Sequence, residues 1–360
     1  MPLDLKSIPE DQISAVHDLV GKTLKTGWTI TEKVKSKPGS SGGYFSVCYL
    51  AEKDGVVGFL KALNVLTFLN ESDDEDQDIT KAMAKTLNTF NFEKEVLEKC
   101  RDKSLSKVSR LLEAGSENIK DYIISSVNYL IFEKADADIR NHLNFSDKID
   151  LAWKLRSMHN IATGIKQLHS IEISHQDLKP SNVFVFKEIE VSKIGDLGRS
   201  LSETIYGPHS DRNFAGDFRY APPEVLHRYF LSEWKDKVFA IDCYLLGSMV
   251  AYYITGHSMT ALLGKHVEDG INILSFSFTQ ALPYWVNAFD NVLLSVKREL
   301  NDFEDSDDLI NTLKMLCYPD PKIRGHIKNV NGNGNNYNME RFVESFNRIA
   351  RKAKLKLRKL

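Results

Sequence analysis

An α+β chain with its strands concentrated ahead of its helices is what this sequence predicts, and three observations carry that reading. β-type alternation comes early, at Trp28 to Val34 and Ser46 to Glu52. Helical periodicity dominates later, clearest from Leu151 to Ser170, where Leu155, Met158, Ile161, Ala162, Ile165 and Leu168 share one side. Between two stretches of short apolar residues sits a polar loop, His175-Gln176-Asp177-Leu178-Lys179-Pro180-Ser181-Asn182. The residues after it, Val183 to Phe186 and Val191 to Ile194, read as a hairpin.

Each element follows in chain order. Met1 to Glu10 has no apolar run of signal-peptide length. A glycine cluster, Lys37 to Val47 with Gly42 and Gly43, joins the first two strands; such a cluster is either a hairpin turn or a place where backbone N–H groups approach phosphates. The strand Gly58-Phe59-Leu60-Lys61-Ala62-Leu63 carries a lysine flanked by apolar residues, an odd place for a surface lysine. Glu71 to Asp78 is an acidic run, read as a solvated loop. Phe92 to Cys100 is a helix on which Glu93 shares a face with Val96, Leu97 and Cys100, while Glu95 faces the other way with Glu98 and Lys99. Val238 to Ile254 is apolar nearly all round, the pattern of a buried helix. Asn329 to Asn338 is a flexible loop, and an amphipathic helix from about Met339 ends in the basic run Arg351 to Leu360.

Composition agrees with one large folded protein. The chain has 360 residues, a net charge of −2 and 42% hydrophobic residues, enough for a sizeable core. Cys48, Cys100, Cys243 and Cys317 lie far apart with no metal spacing, and read as reduced thiols of an intracellular, cytoplasmic protein. No stretch reaches the roughly 18 apolar residues that a membrane span requires.

The polar loop carries the chemistry. Transfer of a phosphoryl group from ATP needs a carboxylate to accept the proton of the attacking hydroxyl, a cation on the γ-phosphate, and oxygen ligands for Mg²⁺. Asp177, Lys179 and Asn182 stand at D-x-K-x-x-N spacing, and Asp196-Leu197-Gly198 follows. In this order the set resembles the eukaryotic-type (Hanks-type) serine/threonine protein kinase family. Gly216 to Glu224 resembles the end of that family's activation segment, with Pro222 in place of the usual alanine. Asp242 to Gly247 resembles the start of its central large-lobe helix.

The resemblance implies a bilobal protein-kinase-like fold: an N-terminal helical extension over 1–26, a small β-rich lobe over 27–134 and a larger helical lobe over 135–360 with a basic C-terminal helix. It implies Asp177 as base, Lys179 as phosphate contact, and Asn182 and Asp196 as metal ligands. For ATP it implies Gly42, Gly43 and Val47 in the glycine loop, Lys61 paired with a helix glutamate, the hinge residues Glu133 and Ala135 after Phe132, and Asp138 for the ribose. Of the three glutamates competing for Lys61, the face argument selects Glu93. His175 packs beneath the catalytic loop, Gly198 closes the metal motif, Asp242 accepts backbone N–H groups of that loop, and a buried Glu224 takes Arg324 as its bidentate partner.

Three departures stand out. Gln176 occupies the place of the arginine that gathers a phosphorylated activation segment, Asp217 that of a threonine, and the glycine loop has Ser40 and Phe45 at two glycine positions. None removes a catalytic atom. The expected function is an ATP- and Mg²⁺-dependent kinase acting on Ser or Thr of a protein substrate, its own Ser200, Ser202, Thr204, Tyr206 and Ser210 being autophosphorylation candidates. The alternatives are a small-molecule phosphotransferase of related fold, or a catalytically silent scaffold that binds through the acidic run or the basic tail. Nucleic-acid or lipid contact through that tail ranks below a solvated helix end with cations favoured by the helix dipole.

Overall fold

A computed structural model describes residues 9–35, 46–66, 79–144, 151–187, 190–300, 303–332 and 334–357. Gly42, Gly43 and the acidic run lie outside them. The fold is α+β and divides into two compact units: residues 1–104 with 109–136, and residues 137–360 with the short stretch 105–108.

The first unit is built on an antiparallel sheet in the order β1-β2-β3-β5-β4, with β1 at Thr29–Lys33, β2 at Ser46–Lys53, β3 at Val56–Leu63, β4 at Leu111–Asn118 and β5 at Ser126–Glu133. Asp54 and Gly55 join β2 to β3 with φ of 51° and 77°, the left-handed pair that a two-residue hairpin turn demands. One sheet face buries Tyr49, Ala51, Leu60, Ala62, Tyr129 and Ile131 against Val16, Leu19 and Trp28 of the N-terminal segment. That segment contributes the short helix α1, Glu10–Ile13, and a 3₁₀ turn, Ala15–His17. It is fastened by the Tyr49 hydroxyl, which donates to the Val16 carbonyl at 2.7 Å. Alternation along β3 turns Lys61 to the opposite face. The helix α2, Ile79–Asp102, buries Phe92, Val96, Leu97 and Cys100 along one stripe.

The second unit begins with β6, Ala137–Asp138, and the helix α3, Ile139–Asn144. The helix α4, Leu151–His169, leads through β7, Ile173–Ser174, into the catalytic loop, followed by the hairpin of β8, Val183–Phe186, and β9, Val191–Ile194. β6, β8 and β9 form one sheet, while β7 pairs with β10, Leu201–Ser202. Then come α5, Pro223–Leu226; α6, Trp234–Thr255; α7, Met259–His266; α8, Phe278–Glu299; α9, Ser306–Cys317; α10, Ile327–Val330; and α11, Glu340–Leu357. The α4 stripe named from periodicity, from Leu155 to Leu168, is fully buried. Within the same unit, the Ile194 N–H bonds to Lys107 O at 3.0 Å, which ties the 105–108 stretch to β9.

One expectation needs correcting. By length and composition α6 is long and apolar enough to cross a membrane, so the sequence does hold such a stretch. In the fold, 83% of its apolar window is buried inside the protein, because the helix forms the core of the second unit rather than facing an outside medium. Its only deeply placed charge is Asp242, and that charge is used.

Candidate active site

Asp242 is fully buried and organises the catalytic loop from below. Its Oδ2 accepts the His175 N–H and its Oδ1 the Gln176 N–H, both at 2.9 Å. His169, at the end of α4, adds its Nε2 to Asp242 Oδ2 at 2.9 Å and stacks on Phe239 with ring centroids 3.7 Å apart. Burial opposes the ionised carboxylate, but the hydrogen bonds from His169 and the loop amide outweigh it and hold Asp242 below its usual value. His169 had no sequence signal beyond its place just before the loop. His175 is fully buried, its Nε2 paired with the Gly195 carbonyl at 3.1 Å, so it packs beneath the loop and meets the segment leading to Asp196.

Above this base, one carboxylate gathers the loop. Asp177 Oδ2 receives Lys179 Nζ at 2.9 Å and Asn182 Nδ2 at 3.2 Å, and its Oδ1 receives the Asp217 N–H at 3.0 Å. Lys179 Nζ also lies 3.9 Å from Asp217 Oδ2. The approach of Asp217 depends on Gly216, where a Cβ would sit 2.0 Å from Gln176 O. Asp217 in turn grips Arg219 with both oxygens, at 3.0 and 2.7 Å. Burial opposes its ionisation, yet the Arg219 hydrogen bonds keep its carboxyl below the ordinary value.

The Asn182 amide is oriented by its neighbours. Its Nδ2 also donates to Asp177 O at 2.8 Å, so Oδ1 is the atom left to accept, and it takes the Ser181 hydroxyl at 3.2 Å. The Gly195 N–H bonds to Asn182 O at 2.9 Å, placing the next residue, Asp196, beside the loop. Asp196 holds φ 62° and ψ 67°, a left-handed conformation that a non-glycine residue keeps only under constraint. An amide oxygen and a carboxylate are hard donors of the kind that Mg²⁺ accepts alongside phosphate oxygens, so the residues present fit that ion. Gly198 lies in the 3₁₀ turn Leu197–Arg199 immediately after.

Glu224 and Arg324, 100 residues apart, form a parallel two-bond pair at 2.6 and 2.8 Å with both side chains buried. Arg324 spends its remaining donors on the carbonyls of Ala240, Tyr318 and Pro319. Burial opposes its charge, but Glu224 more than offsets that and pushes the guanidinium pKa up.

In the first unit, Lys61 Nζ lies 3.8 Å from Glu93 Oε1 and 5.5 Å from the centre of the Phe132 ring, whereas Glu95 faces solvent. Val47 sits in β2 opposite Ala62. The Glu133 N–H donates to Arg110 O and its Oε1 accepts the Arg110 N–H, which ties the end of β5 to the residue before β4. Ala135 follows β5 outside any strand. In the second unit, Asp138 carries a duty that sequence reasoning missed. It caps the start of α3, accepting the Asn141 N–H at 2.7 Å and Asn141 Nδ2 at 2.6 Å, so a ribose contact would share those oxygens.

A catalytic-loop carboxylate fixed by a lysine and an asparagine, a metal-type aspartate beside it and a buried glutamate–arginine pair make up a site of the protein kinase class. The Protein kinase domain model matches residues 68–333, and the chain belongs to that family. The match begins after β3, so Lys61 and the glycine cluster precede it. Among curated relatives, human Mitogen-activated protein kinase 4 is 28% identical over 41% of this chain and 24% of its own length. The rice Serine/threonine-protein kinase/endoribonuclease IRE1 is 31% identical over 37% of this chain and 14% of its own. Probable cyclin-dependent kinase 8 of Dictyostelium discoideum is 30% identical over 41% and 42%. The chain thus spans less than half the length of each of these relatives.

Proposed function

We propose that the chain is an ATP- and Mg²⁺-dependent protein kinase that phosphorylates Ser or Thr hydroxyls of proteins, including its own. The observation that carries this reading is the Asp177 carboxylate, held in place by Lys179, Asn182 and the Asp217 N–H. In that position Asp177 accepts the proton of an incoming hydroxyl. Lys179, anchored on Asp177, presents its ammonium to the phosphoryl group being transferred, and Asn182 and Asp196 would hold the ion. Mg²⁺ supplies charge neutralisation of the phosphates when bound. Lys61, steadied by Glu93, positions the remaining phosphates. The relatives' names support Ser/Thr as acceptors. In the activation segment Ser200 and Ser202 are buried, and the Ser200 hydroxyl is spent on Leu197 O, whereas Thr204 is exposed and Ser210 half-buried. Thr204 and Ser210 are therefore the favoured self-acceptors. A cytoplasmic setting belongs to the same reading, supported by four cysteines that are all free thiols.

The test is incubation of purified protein with ATP and Mg²⁺, with mass spectrometry of its own phosphosites and of a lysate. Asp177→Ala is expected to keep nucleotide affinity while losing roughly 10²–10⁴ in phosphoryl transfer. Turnover equal to wild type in that variant would remove the assignment. Nucleotide binding with and without Mg²⁺ separates an enzyme from a silent scaffold.

A further inference from the structure

The second unit contains an open cavity of about 490 Å³ where α4 begins and where α6 and α8 end. None of its lining residues belongs to the phosphoryl-transfer set. Leu151, Ile254, Leu300 and Phe303 give it an apolar wall, and Lys154 and Arg298 give it two cations. Glu299, exposed at the end of α8, is the only carboxylate among the described lining residues.

Among the described residues, neither cation is held in an ion pair. Lys154 is half-buried, and its Nζ donates to the Tyr253 carbonyl at 2.9 Å, which leaves two N–H groups to place. The adjacent Lys297, by contrast, has Asp307 at 2.7 Å. Burial pulls the Lys154 pKa down, the sign of an ammonium short of solvation. A half-buried cation beside an apolar wall is a complementary site for a molecule with one negative end and an aliphatic body, and the volume is within the range of small-molecule sites.

We propose that this cavity binds an amphiphilic carboxylate, its head on Lys154 and Arg298 and its aliphatic chain against Leu151, Ile254, Leu300 and Phe303. The site is independent of the kinase reading, and its test does not use activity. Isothermal titration of the full chain with decanoate, decanol and decyltrimethylammonium reads both the head-group and the chain contributions. Decanoate is expected to bind at one saturable site, more tightly than decanol, and the ammonium not at all. Lys154→Met and Arg298→Met are each expected to weaken decanoate binding about tenfold, the loss of one charge-assisted contact. Because Lys154 also holds the Tyr253 carbonyl, the exposed Arg298 provides the variant least able to disturb folding. Absence of saturable decanoate binding, equal binding of decanol or of the ammonium, or unchanged affinity in Arg298→Met overturns the proposal.

Discussion

The buried glutamate–arginine pair shows how single residues hold this protein together. Glu224 and Arg324 bring charge into the core and satisfy it with two short bonds and three carbonyls. Such a pair adds little over a well-packed apolar pair, but removing one partner strands the other. Glu224→Ala is therefore expected to destabilise the protein by about 3–5 kcal/mol in denaturant unfolding; a loss under about 1 kcal/mol would contradict an uncompensated buried guanidinium. Asp242 gives the pH counterpart. Its folded-state value lies below the ordinary 3.8. A carboxyl depressed in this way stabilises the fold in full above its unfolded value, and that contribution fades as pH falls through the folded value. The gap in Tm between wild type and Asp242→Asn should be widest near neutral pH and narrow below about pH 4. A gap that does not change with pH would show that the stabilisation does not depend on ionised Asp242.

Elements impose the next set of constraints. Period-two alternation turns Lys61 to one face of β3, and the α2 stripe of Phe92, Val96 and Leu97 turns Glu93 with it. Lys61→Ala and Glu93→Ala are each expected to cut activity strongly, and the double variant should be no worse than the poorer single. Glu95→Ala should be mild, since Glu95 is exposed. A damaging Glu95→Ala would count against the pair. The activation segment is an element of a different kind. Gln176 spends its amide on Ser174 Oγ at 2.8 Å and the Val238 carbonyl at 3.3 Å, and lacks the fork that would clamp a phosphate. The segment is tied down instead by the Asp217 N–H on Asp177, by Lys237 on Asn213 Oδ1 at 2.9 Å, and by Gly216 against Gln176. Phosphatase treatment is expected to leave most of the initial rate on a peptide substrate. Near-complete loss, restored by autophosphorylation, would show that another cation serves the missing arginine.

At the scale of the whole molecule, the C-terminal helix α11 closes the second unit. Phe342, Phe346 and Ile349 are fully buried, as amphipathic spacing from Met339 implies. Its basic residues are not left to solvent alone: Arg348 pairs with Asp308 at 2.8 Å, Lys352 with Asp305 at 2.6 Å, and Lys356 with Glu304. These contacts join the start of α9 to the C-terminal half of α11 and engage Arg348, Lys352 and Lys356. Apolar burial should dominate the energetics. Phe346→Ala is expected to cost about 3–5 kcal/mol, and Lys356→Ala under about 1 kcal/mol, because exposed pairs are screened. Equal costs in urea unfolding would reverse that ranking.

The catalytic loop was legible in the sequence because its members are neighbours along the chain. Asp177, Lys179 and Asn182 fall within one loop, so backbone geometry alone nearly fixes their spacing. Periodicity likewise exposed the buried stripe of α4, the all-apolar α6 and the choice of Glu93, since each depends only on local repeat. The hydrogen bond of His169 to Asp242 joins residues 73 positions apart, and that of Asp217 to Asp177 joins residues 40 apart. No period connects such positions, so only the packing of α4, α6 and the activation segment could reveal them. Asp138 as a helix cap and the ion pairs of α11 escaped for related reasons: a carboxylate's partner is set by which donor the fold brings within about 3 Å. The same holds for the cavity at Lys154 and Arg298, two cations 144 residues apart in number and joined only by the meeting of helix ends. The sequence by itself determined the chemistry available to this protein. Tertiary structure decided which groups meet, because charge pairing and burial act through space while sequence patterns report only along the chain.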